Sequence, residues 1–252
     1  MANHLACIGI HATDRASFAR VLDSLLEHTT TAGTTPGHEL KLWSDASGAS
    51  YGFVFTREGQ VECSTPGFRA ESRLRVRATG FAANKSCRFC DLLEAEVVDS
   101  EGHVLYPFAT KLEDLVLVRE RIQAGAALEL APCAFAESLQ AWPDKAAYEA
   151  SRKPGKGQLG SQFFIPNPAA LMKKGGPPPP VEPRAHFTGH VEAADVRTNG
   201  VTGQPFQHAL VRTYGGVYDV LAAADERTPR LQPGNIVRGT FWLVARVTAG
   251  LD

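Results

Sequence analysis

Five cysteines are the residues of this 252-residue chain whose type and spacing most directly suggest chemistry. Cys87 and Cys90 form a C-x-x-C pair, a spacing at which two thiolates can bind zinc, and Cys63 and Cys133 could complete a four-thiolate site. A diagnostic zinc sequence, however, carries two such pairs. No thioredoxin-like strand–helix–strand pattern surrounds the pair either. We therefore predict ordinary thiols with no metal and no cofactor, and keep zinc at Cys63, Cys87, Cys90 and Cys133 as the alternative.

Two glycine motifs match the patterns of enzymes but not their surroundings. Residues 48–52 fit G-x-S-x-G, yet an apolar strand pattern follows them where a serine hydrolase needs a helix. Residues 155–160 fit G-x-G-x-x-G, but no strand precedes them and no helix follows. We interpret the first motif as a Gly/Ser turn between two strands and the second as a mobile, basic loop.

The C-terminal part combines aromatic and arginine residues, which suits either a small core or a binding face. On a β-barrel, aromatic side chains can stack on bases and arginines can contact phosphates. The candidate binding residues are Arg212, Tyr214, Arg238, Trp242 and Arg246. Adjacent residues of a strand point to opposite faces, so we predict Phe241 in the core and Trp242 at an interface.

Composition bounds the class of protein. The chain is 44% hydrophobic and 21% charged, with a formal net charge of −1, which is typical of a folded globular protein. Near neutrality argues against strong nonspecific DNA binding, because that needs many basic side chains on phosphates. No apolar run approaches the roughly 20 residues of a membrane helix, and the N-terminus lacks a signal-type pattern. These features predict a cytoplasmic protein without a membrane partner.

A run of glycine and proline suggests a division of the chain. Consecutive prolines donate no backbone hydrogen bonds and favour an extended spacer. We predict a mixed α+β domain over residues 1–172, a Gly/Pro-rich linker over 173–184 and a small all-β domain over 185–252.

Periodicity predicts the elements of the N-terminal part. We expect a strand over 5–10 and a helix capped by Asp14. Alternation of Arg73, Arg75 and Arg77 with apolar residues predicts a strand with one basic face. The remaining expected elements are hairpin turns at 57–59 and 100–102, a helix over 110–122 with a capping box, a strand over 126–130, and a helix from 143 to 150.

The C-terminal part predicts strands and no helix. The expected strands are 187–196, 205–213, 217–223 and 236–247, with glycines at 189 and 239 where a strand could bend. This segment resembles an oligonucleotide/oligosaccharide-binding (OB) barrel, on its long first strand, the hairpin at 215–216 and the final run after 234. The resemblance covers about a quarter of the chain and implies a small closed barrel.

A second resemblance concerns residues 4–63. The order strand, helix and hairpin strands is similar to one module of the vicinal-oxygen-chelate family. That resemblance implies a divalent metal held by strand-borne histidine and glutamate, here His4 or His11 with Glu62.

We therefore expect a non-enzymatic binding or assembly protein that uses the C-terminal barrel for recognition or oligomerisation. A protein partner or self-association is the favoured interaction, and single-stranded nucleic acid is the alternative. The alternative function is a metal-dependent enzyme of vicinal-oxygen-chelate type in the N-terminal half.

Overall fold

A small antiparallel sheet follows the first helix. The computed structural model describes residues 4–12, 14–84, 87–152, 160–166 and 180–251. A 3₁₀ turn, His4–Ile8, precedes helix α1, Arg15–Leu26. Four strands then pair in sequence order: β1 Thr30–Thr34, β2 His38–Ser44, β3 Ala49–Thr56 and β4 Val61–Phe68.

The N-terminus confirms one expectation and overturns another. The Asp14 side chain accepts the Ser17 backbone N–H at 2.7 Å, which confirms the predicted N-cap of α1. The predicted strand over 5–10 is wrong, since the segment turns back on itself through a hydrogen bond from Ile10 N–H to Leu5 O at 2.9 Å. Ile8 and Ile10 are fully buried. A short run of apolar residues indicates that a segment is buried, but it does not distinguish a strand from a turn.

The second sheet contains strands from both sides of the predicted linker. Its strands are β5 Leu74–Ala82, β6 Leu92–Val98, β7 Val104–Leu112, β8 Ala127–Trp142, β9 Phe163–Pro166, β10 Arg184–Thr198, β11 Pro205–Thr213, β12 Gly216–Ala223 and β13 Ile236–Ala249. Between them lie a 3₁₀ turn, Arg88–Cys90, and the short helices α2, Leu115–Val118, and α3, Lys145–Ala150.

A long two-stranded ribbon organises this sheet. Strands β8 and β13 are antiparallel and paired from Trp142 opposite Ile236 to Glu129 opposite Ala249. The outer edge of β8 pairs first with β5, through residues 127–130, and then with β12, through residues 133–135. The outer edge of β13 pairs with β10 through residues 236–242 and with β7 through residues 244–245.

These pairings close two five-stranded rings that share the ribbon. The first ring runs β5–β6–β7–β13–β8 and returns to β5. The second runs β10–β11–β12–β8–β13 and returns to β10. In each ring the third strand lies parallel to a strand of the ribbon, β7 to β13 and β12 to β8. Each ring thus contains four strands that follow one another in the chain, β5–β8 in the first ring and β10–β13 in the second, plus one ribbon strand from the other ring. Strand β9 belongs to neither ring.

The loop between the first two strands of the second ring is fixed to the N-terminal segment. Asn199 is fully buried, and its side-chain amide donates to Ile8 O at 2.8 Å. The Thr202 hydroxyl donates to Gly9 O at 2.6 Å. Gly9 has φ of 72°, and a Cβ there would lie 2.5 Å from Gln204 O, so this close approach requires glycine.

One apolar core fills both rings. Leu93 and Val97 from the first ring and Phe187 and Phe241 from the second belong to the same buried cluster. The Tyr106 and Tyr218 hydroxyls meet at 3.3 Å inside it. A second cluster joins the small sheet to the outside of the ribbon, through residues that include Trp43, Phe53, Phe68, Phe135 and Val244.

The architecture is β-rich α+β, and its layout differs from the predicted self-contained C-terminal barrel. Strands β10–β13 close a ring only with β8, which belongs to the predicted N-terminal domain. The unpaired backbone groups at the edge of a sheet can pair with another strand, and here β12 and β13 both pair with β8, which lies earlier in the chain. The boundary at 173–184 stays a prediction, and its residues 173–179 lie outside the described part.

The predicted helix over 110–122 is wrong for most of its length. Thr110 belongs to β7, which runs to Leu112, and only Leu115–Val118 is helical. Glu113 pairs with β13 through its backbone N–H, donated to Ala245 O at 3.0 Å, instead of completing a cap. None of the helices in the described ranges is long and apolar enough to cross a bilayer.

Candidate functional site

A groove on the outer face of the first ring is the candidate site that brings Trp242 together with a lysine and a cysteine. Its volume is about 660 Å³. It is lined by the end of β5 and the following loop (Ala82, Ala83, Asn84, Cys90), by Leu92 of β6 and Lys111 of β7, by Trp242 of β13, and by Pro180, Val181 and Pro183. Strand alternation explains this set, because Leu93, Leu112 and Phe241, the sequence neighbours of Leu92, Lys111 and Trp242, point into the core.

Trp242 provides an aromatic wall of the groove. Its indole is stacked on the His4 imidazole, with centroids 4.5 Å apart and planes 5° from parallel. Glu137 fixes the imidazole through an Nε2···Oε1 contact of 3.0 Å, and Arg184 donates to both oxygens of the same carboxylate. Burial lowers the pKa of His4, and the hydrogen bond and charge of Glu137 oppose this effect only in part. Phe241 is fully buried, which confirms its predicted core position.

Three cysteines meet beside the groove. Cys63 lies on β4, while Cys87 precedes the 3₁₀ turn between β5 and β6 and Cys90 is the last residue of that turn. The three sulfurs lie within 4.8 Å of one another, and the Sγ atoms of Cys63 and Cys90 are 3.6 Å apart. Leu40, Val54, Phe89 and Val116 surround them with apolar contacts. We call Cys63, Cys87 and Cys90 the thiol cluster.

The thiol cluster is acidic at one position. The hydrogen bond from Cys90 is the largest of the effects that lower the pKa of Cys63 to about 6, and Lys111 adds an electrostatic contribution in the same direction. The pKa of Cys90 is raised, mainly because its proton is held in that hydrogen bond. Burial opposes the charged form of Cys63, whereas the ammonium group of Lys111, which also lines the groove, favours it.

The other two cysteines are buried separately. Cys133 on β8 donates to Val244 O at 3.3 Å, and Cys7 donates to Ala136 O at 3.6 Å. Burial raises the pKa of Cys7 to about 12 and that of Cys133 well above its usual value. The described residues therefore bring together three cysteines of the predicted alternative set and leave Cys133 elsewhere.

The predicted binding residues lie on different surfaces. Arg212 of β11 is paired with Glu192, with Nε at 2.5 Å from Oε1, on the outside of the second ring. Tyr214 is 50% exposed at the β11–β12 turn. Arg238 lies on β13 opposite Thr188 and Gln140. Of the set, only Trp242 lines the groove.

Arg246 supports the interior instead of a surface. Its Nη2 donates to Glu113 Oε2 at 2.8 Å, and the Glu113 side chain is 2% exposed. Ser50, the serine of the G-x-S-x-G pattern, donates to the other oxygen of Glu113 at 2.8 Å. Ser50 lies within β3 and is fully buried, so of residues 48–52 only Gly48, with φ of 89°, belongs to the predicted turn. The G-x-G-x-x-G pattern falls almost entirely on residues outside the described part.

A second polar cluster is structural. His208 Nε2 lies 2.7 Å from Asp219 Oδ1, and the Ser72 hydroxyl donates to Asp219 Oδ2 at 2.5 Å. The serine contacts the carboxylate and not the histidine, so it lacks the base that activates a nucleophile. All three residues are buried. They attach the segment between β4 and β5 to the second ring.

The histidine and glutamate of the enzyme alternative have separate partners. His4 contacts Glu137, whereas Glu62 contacts His38 at 3.0 Å. His11 lines a shallow pocket beside α1. Within the described ranges, the thiol cluster is the one group of three metal-ligating side chains.

Lys111 and Asn84 are site residues that the sequence does not single out. Lys111 is an outward lysine in an alternating strand, a pattern shared by solvent-exposed lysines generally. A pairing of β7 with β13, Lys111 opposite Val244, places it near Trp242. No protein-family model, curated protein or solved structure matches the chain.

Proposed function

We propose that the protein is a non-enzymatic binding protein whose first ring is OB-like and holds a short single-stranded nucleic acid in the groove. The observation that carries the proposal is the combination of Trp242 and Lys111 on one outer face of that ring. An indole can stack on any base, and an ammonium group can contact a phosphate, so the pair suits a strand bound without sequence preference.

The order of strands supports the OB-like assignment. In the first ring, β5 pairs with β6 and β8, and β7 is parallel to β13. Counted in chain order, the first strand of the ring neighbours the second and fourth, and the third is parallel to the fifth, as in OB barrels. The fifth strand, β13, comes from the end of the chain.

The location of the groove supports the ligand class. OB barrels bind oligonucleotides on the face of their second and third strands and beside the loop that joins the first two. Here Leu92 and Lys111 come from the second and third strands, and Asn84 and Cys90 come from that loop. A volume of about 660 Å³ suits one or two nucleotides and not a long duplex.

The electrostatics favour a local contact over a broad basic surface. The chain carries 26 basic and 27 acidic residues. Arg212 and Arg184 are both paired with glutamates. Binding should therefore be moderate and depend on salt through few phosphates, because each phosphate contact adds about −0.7 to the salt slope for single strands.

Fluorescence anisotropy of a labelled short oligothymidylate tests the proposal. Trp242→Ala should weaken binding by about 1–3 kcal/mol, the usual contribution of one stacked base. Lys111→Gln should reduce the salt slope by about 0.7. Arg212→Gln is the matched control, because its guanidinium lies on the second ring, and it should leave both quantities unchanged.

Two outcomes would count against the ligand class. The nucleic-acid proposal is wrong if the wild type shows no salt-sensitive binding. If in addition the protein self-associates in a concentration-dependent way that Trp242→Ala abolishes, the groove is an assembly surface instead.

A further inference from the structure

The thiol cluster has the dimensions of a metal site and not those of a disulfide. Zinc–sulfur bonds of about 2.3 Å in a tetrahedron place two sulfurs about 3.8 Å apart. The Sγ atoms of Cys63 and Cys90 are 3.6 Å apart, and all three sulfurs lie within 4.8 Å of one another. A disulfide would need about 2.05 Å.

Two separate parts of the chain converge to make the cluster. The C-x-x-C pair lies on the loop between β5 and β6, while Cys63 comes from β4 of the small sheet. No covalent or secondary-structure constraint on a short loop requires its two cysteines to meet a third one across an interface. The sulfurs are also shielded by apolar neighbours, including Phe89 and Val116. Such a shell keeps water from competing with the ligands of a metal.

The chemical state of the cluster suits a soft divalent cation. Thiolates are the form of cysteine that binds metals, and soft thiolate ligands favour zinc over hard cations such as magnesium or calcium. Metal binding displaces thiol protons into solvent, so the affinity should rise with pH. Three negative sulfurs close together without a cation would repel one another, and Lys111 alone does not balance them.

We infer that Cys63, Cys87 and Cys90 bind one Zn²⁺ ion, which ties the loop between β5 and β6 to β4. Three protein thiolates leave the fourth position of a tetrahedral ion for a water molecule or an external ligand. Cys90 also lines the groove, so that position is next to the proposed ligand site. The inference is independent of the ligand class, because it depends only on the thiol cluster.

Metal content of the full-length protein tests the inference. The wild type, loaded with zinc and desalted, should retain about one ion per chain by mass spectrometry. Cys63→Ser, Cys87→Ser and Cys90→Ser should each lose it, while Cys7→Ser and Cys133→Ser, whose thiols are buried elsewhere, should retain it. Cobalt in place of zinc should give the intense absorption of tetrahedral thiolate ligation, and Cys87→Ser should lose that absorption.

A second measurement separates loss of metal from loss of folding. Cys87 is only half-buried, so Cys87→Ser should keep the wild-type circular dichroism spectrum. A chelator should lower the melting temperature of the zinc-loaded wild type and leave that of Cys87→Ser unchanged. If every serine variant unfolds, the effect of the chelator on the wild type still decides the question.

Three results would overturn the inference. They are retention of zinc by folded Cys87→Ser, failure of the reduced wild type to bind zinc or cobalt, and binding of Cu(I) with exclusion of zinc. A Cys63–Cys90 disulfide in protein that binds no metal would assign the cluster to thiol oxidation instead.

Discussion

The two rings have the same order of strands, but the loop between their first two strands has a different role in each ring. In the second ring this loop carries Asn199 and Thr202, whose side chains bond to the N-terminal segment and fix the loop against it. In the first ring the same connection carries Cys87 and Cys90 and borders the groove. One scaffold thus provides a loop that is fixed to the N-terminal segment and a loop that borders the groove, and the proposed binding functions lie at the second of these.

Substitutions of core residues should destabilise both rings to a similar extent, whereas substitutions in the two loops should not. Phe241 is fully buried and stacks on Phe187, with ring centroids 3.9 Å apart. We expect Phe241→Ala to lower the free energy of unfolding by about 3–5 kcal/mol, because it leaves a cavity in the shared core. Urea denaturation measures this loss.

The adjacent Trp242→Ala is the control for that prediction. Its side chain lies on the other face of β13 and is half-buried, so its cost to stability should be nearer 1 kcal/mol. Equal losses for the two variants would show that the groove wall is as important to folding as the core.

The connections between the third and fourth strands should differ in their response to pH. In the first ring, burial raises the pKa of Asp114 to about 7. Its unfolded value is about 4, so the folded protein holds this proton more tightly and loses stability as pH rises from about 4 to about 7. Asp114→Asn should remove that loss, at up to about 1.4 kcal/mol per pH unit in this window.

The corresponding connection of the second ring carries an aspartate with the opposite shift. The Thr228 hydroxyl bonds to Asp225 and lowers its pKa, and this carboxylate is largely exposed. Its contribution to stability is present above about pH 4 and is lost as pH falls through the folded pKa. Asp225→Asn should therefore change the free energy of unfolding only at acidic pH, when denaturation is measured over a series of pH values. A change above pH 5 in Asp225→Asn would contradict this contrast.

The two loops themselves should differ in how much an asparagine contributes to stability. Asn199→Ala removes the donor to Ile8 O and the acceptor for the backbone N–H groups of Val201 and Thr202. Leaving these buried groups unpaired should cost about 1–3 kcal/mol. Asn84→Ala, at an exposed position of the other loop, should stay within about 0.5 kcal/mol. Thermal denaturation of both variants compares the loops directly, and similar losses of stability would mean that the loop beside the groove is also structurally fixed.

Local pattern was sufficient wherever neighbouring residues determine the structure. The turns at 57–59 and 100–102 are confirmed by Gly59 and Gly102, with φ of 80° and 86°. Strand β11 has the predicted bounds, Pro205–Thr213, and α3 begins within two residues of the predicted start. Each of these elements has its own chemical signal, such as a glycine in a turn or strict alternation.

Predictions from local sequence pattern were wrong where residues far apart in the chain determine the structure. Strand β8 is 16 residues long, and only its first residues match the predicted strand, because its later residues gain partners from β12 and β13. Thr110 and Glu113 have the spacing of a capping box, but pairing of β7 with β6 and β13 determines their conformation. The sequence names Cys63 with the C-x-x-C pair only in a four-cysteine alternative that includes Cys133, because which of these residues meet depends on packing of the small sheet.

The shared ribbon also sets the order of events during synthesis. Residues 74–142 supply four strands of the first ring, but its fifth strand, β13, spans Ile236–Ala249. Until β13 has left the ribosome, the first ring has unpaired edges on β7 and β8, and the second ring lacks its own fourth strand. Neither ring can close before that point, so chaperones that bind exposed β-edges would have the time taken to synthesise the roughly one hundred residues between β8 and the end of β13 in which to act.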